Sequence, residues 1–294
     1  MRARLARVAR RLGGNRAALA GGVIVGLFVV VAVLAPLLAP HSPITGDLGP
    51  IRPGVVPGPS AHHPLGLDLQ GRDLLSRVVY GARYSLLIGV ASVALGVALG
   101  VVVGALAGGL GGWVDSVLMR AMDAMLAIPG LIVAIGLVTL LGPSVLSVTV
   151  AIGTGGTPLV ARLMRGAMVS QQPREYVAAA RALGASRARV IVHHLLPNSL
   201  SPVLVAASLA VGGAILEAAG LSFLGLGVGD PSLPEWGRML ADSPRALQSS
   251  PHVVLFPGLA LVLTVLGFNL LGDGLREALD ARLVDPLRLG PPKA

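Results

Sequence analysis

Tyr84-Ser85-Leu86-Leu87-Ile88-Gly89-Val90-Ala91-Ser92-Val93-Ala94-Leu95-Gly96-Val97-Ala98-Leu99-Gly100-Val101-Val102-Val103-Gly104-Ala105-Leu106-Ala107-Gly108 carries no charged side chain, and the uncharged run continues to Val114. A helix that crosses about 30 Å of hydrocarbon needs roughly 20 apolar residues, so this stretch is long enough to span a bilayer. Within it Ser92, Gly96, Gly100, Gly104 and Gly108 recur every fourth residue, and Gly112 continues the series. On a helix they form a stripe without bulk along which a neighbouring backbone can approach. The spacing leaves two neighbours open: another helix of this chain, or a helix of a second membrane subunit.

Further uncharged runs occupy 17–46, 124–161, 190–216 and 246–272. The run 124–161 is interrupted by Leu141-Gly142-Pro143-Ser144, a turn signal, and reads as two helices. Six spans result, at about 17–38, 86–108, 122–141, 144–164, 199–221 and 254–275. Composition agrees. Only 13% of the 294 residues are charged and 54% are apolar, with a mean hydropathy of +0.79. So few charges cannot cover a water-facing surface. Aromatics are 3%, so the apolar content is small and aliphatic, suited to helices packed closely in lipid. The fold class is an all-α polytopic membrane protein.

Orientation follows from arginine placement. Arg2, Arg4, Arg7, Arg10, Arg11 and Arg16 precede the first span, which is too long for a usual signal-peptide core and reads as an uncleaved anchor. Placing segments 1–16, 109–121, 165–198 and 276–294 inside collects most of the arginines there. The outer loops 39–85 and 222–253 mix Arg with Asp and Glu. Both termini are expected in the cytoplasm. The net charge of +9 then reflects topology and an anionic inner leaflet, with no nucleic-acid role. In the outer loop, Leu74, Leu75, Val78 and Val79 suggest an amphipathic helix over 71–85 lying on the membrane surface.

Several chemistries are excluded or weak. There is no Cys, which removes disulfides, thiolate metal sites and thiol nucleophiles. The single Lys is Lys293, so no Gly-Lys-Ser/Thr phosphate loop exists and the chain binds no ATP of its own. No His lies within a span, which argues against an intramembrane enzyme. His62-His63 and His193-His194 are adjacent pairs, a weak ligand arrangement, and no metal site is assigned. Glu217 is a carboxylate inside an apolar span, near its outer end. A carboxylate there lines a pathway or gate, or is capped by its neighbours.

Between the fourth and fifth spans lies Pro173-Arg174-Glu175-Tyr176-Val177-Ala178-Ala179-Ala180-Arg181-Ala182-Leu183-Gly184-Ala185-Ser186. Pro173 and Glu175 suit a first helical turn, the alanines favour helix, and Gly184 suits its end. Tyr176, Ala179, Ala180 and Leu183 share a face. A second short helix is expected to start after Ser186 and to stop before Pro197.

This loop resembles the EAA loop of bacterial ABC importer permeases. Ala178-Ala179-Ala180, Gly184 and His194-Leu195-Leu196-Pro197 stand at the family's spacing, although Ala178 occupies a position often held by Glu and Glu175 lies one turn earlier. The resemblance extends to the C-type subunits of dipeptide, oligopeptide and nickel permeases. It rests on His63-Pro64-Leu65-Gly66-Leu67-Asp68, Gly71-Arg72-Asp73-Leu74-Leu75-Ser76-Arg77, Gly81-Ala82-Arg83-Tyr84-Ser85-Leu86, Leu221-Ser222-Phe223-Leu224-Gly225-Leu226-Gly227 and Asn269-Leu270-Leu271-Gly272-Asp273-Gly274-Leu275-Arg276.

The resemblance implies a type I ABC importer permease fold with a cytoplasmic coupling helix, in a bacterial cytoplasmic membrane. An N-terminal portion, 1–85, would precede a five-helix core, 86–276, containing the EAA loop at 173–197, and a tail, 277–294. It implies a homologous B-type permease, two ATPase subunits holding ATP and Mg, and an extracytoplasmic binding protein as partners. Glu175, Tyr176, Ala178, Ala179, Ala180, Arg181, Leu183, Gly184 and Pro197 would couple to the ATPases, with Arg187 and Arg189 beside them. Peptide is the expected cargo; nickel or another small solute is the alternative. A secondary transporter is the rival class, but mid-span charges and an internal repeat are not found.

Overall fold

The computed structural model describes residues 14–46, 56–230, 232–243 and 246–279. The arginine-rich start and the tail beyond Leu279 lie outside the described residues. The described residues form ten helices. In chain order they begin with α1 (Arg16–Val33), α2 (Ala35–Leu38), α3 (Leu74–Leu110), α4 (Gly112–Leu126) and α5 (Gly130–Leu141). They continue with α6 (Val145–Gln171), α7 (Glu175–Ala182), α8 (Arg187–Phe223), α9 (Trp236–Ala241) and α10 (His252–Leu279). Among the described residues the only bridge of strand type is an isolated one between Leu67 and Asp73.

Five helices are long and apolar enough to cross a membrane: α1, α3, α6, α8 and α10. The expected span at 122–141 is instead broken, because α4 and α5 meet at 88°. Ile128 precedes Pro129, which turns the backbone away from helix. Charge explains why α4 does not simply extend α5 into the apolar layer. Asp115 accepts two hydrogen bonds from Arg165, at 2.5 and 2.6 Å, and Asp123 pairs with Arg162 at 2.5 Å. At 12 residues, α5 is about 18 Å long, so a sixth crossing exists only if the bent pair is counted as one.

The glycine stripe packs within the chain. Ser92, Gly96, Gly100, Gly104 and Gly108 are buried on α3 and face α6. A Cβ on Gly96 would stand 2.7 Å from the Gly153 carbonyl oxygen, and one on Gly100 would stand 2.5 Å from Val160 Cβ. Gly112 leaves the stripe, since α3 ends at Leu110 and Gly111 and Gly112 both take positive φ to open α4. The same device joins α1 to α10: a Cβ on Gly21 would fall 2.5 Å from the Leu271 backbone nitrogen. Small residues let van der Waals contact between backbones replace the hydrophobic drive that lipid does not supply.

The expected surface helix over 71–85 is not separate. Asp73 caps α3, accepting from the Ser76 N–H at 2.7 Å, and the helix runs unbroken into the span. Leu74, Ser76 and Arg77 are buried. Leu74 packs in one cluster with the fully buried Trp236, whose indole N–H donates to the Val78 carbonyl at 3.0 Å and whose ring meets Phe28 edge-on. Gly81 makes room, since a Cβ there would lie 2.5 Å from the indole. The amphipathic pattern is real, but its apolar face meets protein.

Candidate functional site

At the end of the bundle where α3 finishes, α7 lies against the core by one face only. Val177 and Ala180 are buried in a cluster with Met164, Met168, Val190 and Leu195. Glu175, Tyr176, Ala178, Ala179, Arg181 and Leu183 are exposed, Leu183 at 89%. Ala180, grouped from the sequence with Tyr176, Ala179 and Leu183, turns inward. At about 100° per residue it stands between the Tyr176 and Val177 directions, and packing draws it to the Val177 side. The exposed patch that remains is Tyr176, Ala179 and Leu183, at helical spacing. Tyr176 donates its hydroxyl to Gln171 Oε1 at 3.0 Å.

Gly184 ends α7 with φ +81°, the left-handed conformation that glycine adopts without a Cβ penalty. The Gly184 N–H reaches the Arg181 carbonyl at 2.9 Å and the Ala185 N–H reaches Ala180 at 3.0 Å. The second bond is the long bond of a Schellman ending. No atom lies within 4 Å of a Cβ placed on Gly184, so its constraint is conformational, not steric.

The expected second helix does begin at Ser186, whose hydroxyl accepts from the Arg189 N–H at 3.4 Å. It does not stop before Pro197. Val190–Leu195 widens to π-helical geometry and the helix continues to Phe223. The wider turn accommodates proline, which has no N–H to give, and Pro197 is exposed near the start of the continuing α-helix. Arg187 turns back: its guanidinium donates to the Gly109 carbonyl at 3.4 Å and to that of Leu110. Gln172 donates to the Gly108 carbonyl at 2.6 Å. These donors satisfy the open carbonyls that close α3 and complement its negative dipole end. Arg181 and Arg189 remain exposed.

A second feature is a pocket open on one side, at which Glu217 is exposed. Its cavity, of about 330 Å³, is bounded by α3, α6 and α8, with Gly155, Gly156, Ala206, Ala210, Gly213 and Glu217 among its lining. Gly96 of the stripe lines it too, but its other glycines are packed differently. Gly155, Gly156 and Gly213 have nothing within 4 Å of a Cβ position, whereas stripe glycines meet backbone. Glu217 has no hydrogen-bond or ion-pair partner among the described residues, so its carboxylate is not capped by neighbours.

The opposite end is an ionic knot built from the motif stretch 63–77. Asp68 accepts from the Arg72 guanidinium at 2.7 Å and pairs with Arg77 at 3.2 Å, while Arg77 also donates to the Pro43 carbonyl at 2.8 Å. Burial pushes the Asp73 carboxyl up, but hydrogen bonds from Ser76 and His63 outweigh it and hold Asp73 below the usual carboxylate range. Glu235 caps α9 by accepting from the Gly237 and Arg238 N–H groups at 2.8 and 2.9 Å. Burial dominates there and pushes its carboxyl up. His62 and His63 part company, His62 exposed and His63 turned toward Asp73. His41, Trp236 and Glu235 carried no signal in the sequence, because each acquires its role only from contacts made far along the chain.

The profile of the family described as "Binding-protein-dependent transport system inner membrane component" matches residues 100–285. That of "N-terminal TM domain of oligopeptide transport permease C" matches 4–52. The chain is 44% identical over 274 residues to the dipeptide transport system permease protein DppC of Alkalihalophilus pseudofirmus, covering 93% of this chain and 88% of that one. It is 43% identical over 271 residues to the di/tripeptide transport system permease protein DppC of Pseudomonas aeruginosa, covering 92% and 89%. With the glutathione transport system permease protein GsiD of Pectobacterium atrosepticum it shares 41% over 275 residues, covering 93% and 90%. Among solved structures, a chain of the inward-facing MetNI methionine ABC transporter superposes with a TM-score of 0.57 at 20% identity, covering 70% of this chain and 97% of that one. That likeness carries the fold alone. Helices long enough to span, a half-buried α7 and these matches agree: the chain belongs to the inner-membrane components of binding-protein-dependent transport systems.

Proposed function

We propose that this chain is the C-type permease subunit of an ATP-driven ABC importer for di- and oligopeptides. The carrying observation is α7, a short helix held to the bundle by Val177 and Ala180 and bare on its other face. Small exposed side chains at Ala178 and Ala179, with Tyr176 and Leu183 at the ends, suit insertion into a groove of a separate ATPase. Arg181 and Arg189 suit an acidic rim. Both termini and α7 then lie on the cytoplasmic side, and the ionic knot with Trp236 lies outside, facing a substrate-binding protein. A homologous B-type permease completes the pair. ATP and Mg stay in the ATPases. Nucleotide shifts the bundle between two packings through differential contact at α7. Peptide cargo is inferred from the dipeptide, di/tripeptide and glutathione permeases named above.

The test is reconstitution of the chain with its B-type partner, ATPases and binding protein. ATP-dependent accumulation of labelled dipeptide is expected, and vesicles holding only the two permeases accumulate none. Accumulation of a non-peptide solute such as nickel, with no peptide uptake, contradicts the cargo assignment.

The pocket supports a role for Glu217 in the path. An uncapped carboxylate in an apolar wall attracts the ammonium end of a peptide. Glu217→Gln is expected to lower uptake of peptides with a free amino terminus about tenfold, the equivalent of ~1.4 kcal/mol. Assembly should be unaffected, since Glu217 makes no structural bond, and Glu217→Asp should retain most activity. Equal uptake of free and N-acetylated peptides by wild type and Glu217→Gln would remove Glu217 from the path.

A further inference from the structure

Residues from two stretches of the chain meet where α3 begins. His41 follows α2, His63 lies in the loop leading to α3, and Asp73 caps that helix. Asp73 Oδ1 lies 2.9 Å from His63 Nδ1 and 3.8 Å from His41 Nδ1. One ligand atom from each of the three residues lies within 4.8 Å of the others. Asp73 Oδ2 is committed to the Ser76 N–H, which aims Oδ1 at the imidazoles. His41 Nδ1 is buried and has no hydrogen-bond partner among the described residues, an unusual condition for a buried ring nitrogen. The two ring centroids are 4.7 Å apart, on either side of that carboxylate oxygen.

We propose that His41, His63 and Asp73 form a binding site for a borderline divalent transition-metal ion such as Zn²⁺, Co²⁺ or Ni²⁺. Two imidazole nitrogens and one carboxylate oxygen suit these ions, whereas Mg²⁺ and Ca²⁺ prefer oxygen sets. Ligand bonds of about 2.0–2.2 Å place ligand atoms roughly 3–3.5 Å apart. The two separations from Asp73 Oδ1, 2.9 and 3.8 Å, bracket that range, and all three ligand atoms lie within 4.8 Å of one another, so the set closes on an ion by side-chain adjustment. The ligand-bearing backbone is already fixed: the His41 N–H donates to Ser76 Oγ at 3.1 Å and the His63 N–H to Ser60 Oγ at 3.0 Å. The exposed His62 ring, 5.6 Å from that of His41, is placed to supply a fourth ligand, as water could. An ion here clips the segment after α2 and the loop before α3 onto the α3 start. It is a resident clamp and not cargo, because none of the three residues lines the cavity that holds Glu217.

The test uses the full chain in nanodiscs, purified through a tag without histidine and stripped of metal, then titrated with Co²⁺. The expected result is one equivalent bound, visible ligand-field bands, and displacement by Zn²⁺. His41→Gln and His63→Gln should each lose the bands and weaken binding about 100-fold, the upper end of the cost of losing even an outer-shell partner. Replacing His193 and His194 together should change nothing. Should His63→Gln fail to fold, His41→Gln still decides, since its Nδ1 makes no hydrogen bond among the described residues. Absence of stoichiometric Co²⁺ and Zn²⁺ binding by the wild-type chain, or bands that persist in His41→Gln, would overturn the proposal.

Discussion

Gly184→Val is expected to lower peptide uptake by at least tenfold, while Gly184→Asn is expected to retain most of it. The reason is the backbone at the end of α7. At φ +81° an L-residue with a Cβ is strained by roughly 1–2 kcal/mol, and a β-branched one is the worst case, whereas Asn tolerates this conformation. No neighbour lies within 4 Å of the new Cβ, so the strain has one release: loss of the bonds from Gly184 to Arg181 and from Ala185 to Ala180. The exposed patch of Tyr176, Ala179 and Leu183 then no longer presents as one rigid face. Assembly of the two permeases persists, because Val177, Ala180 and their cluster are untouched. Uptake and peptide-stimulated ATP hydrolysis in the reconstituted importer measure this. Normal values for both in the Val variant, or equal losses in Val and Asn, contradict a conformational role for Gly184.

Gly104→Val acts at the opposite extreme, on folding. A Cβ at Gly104 falls on the Ala161 carbonyl oxygen, 2.7 Å from Met164 Cβ and 3.0 Å from the Arg165 nitrogen. Two of these three atoms are backbone and cannot rotate away. Overpacking of this kind costs about 3 kcal/mol or more, enough to separate α3 from α6 along much of their contact. The expected outcome is loss of monodisperse protein after detergent extraction. Gly155→Val is the matched control, since its Cβ meets nothing within 4 Å. That variant should purify normally and lose uptake by filling the cavity. If Gly104→Val purifies with unchanged thermal stability, the stripe is not the α3–α6 contact.

The residues that announced themselves were those whose function is local. Gly184, Ser186 and Ser144 act on backbone groups within a few positions, so turn and cap chemistry is enough to place them. The stripe was equally plain, because helical spacing alone aligns Gly96 with Gly104 and Gly108, but only the fold selected α6 as its neighbour. Proline misled in both directions. Pro129 breaks what apolar content alone counted as one span, whereas Pro197 fails to break a helix because a π turn absorbs it. The start of α3 misled for a related reason. Its amphipathic pattern is the same whether the apolar face meets lipid or Trp236, and Trp236 lies some 150 positions away. His41 and Glu235 were silent because a lone His or Glu in a loop has no pattern. In the site itself, exposure separated Ala180 from Ala178 and Ala179, a distinction of one helical step that composition cannot make.

The chain has no Cys, so Ala179→Cys places a single thiol at the middle of the exposed face of α7. Cross-linking that thiol to a cysteine in the ATPase groove, within an assembled importer that transports, tests the proposed coupling directly. The account predicts a permease–ATPase product whose yield changes when ATP closes the ATPase pair. A transport-competent assembly in which Ala179→Cys never cross-links to the ATPase, with or without nucleotide, would contradict it.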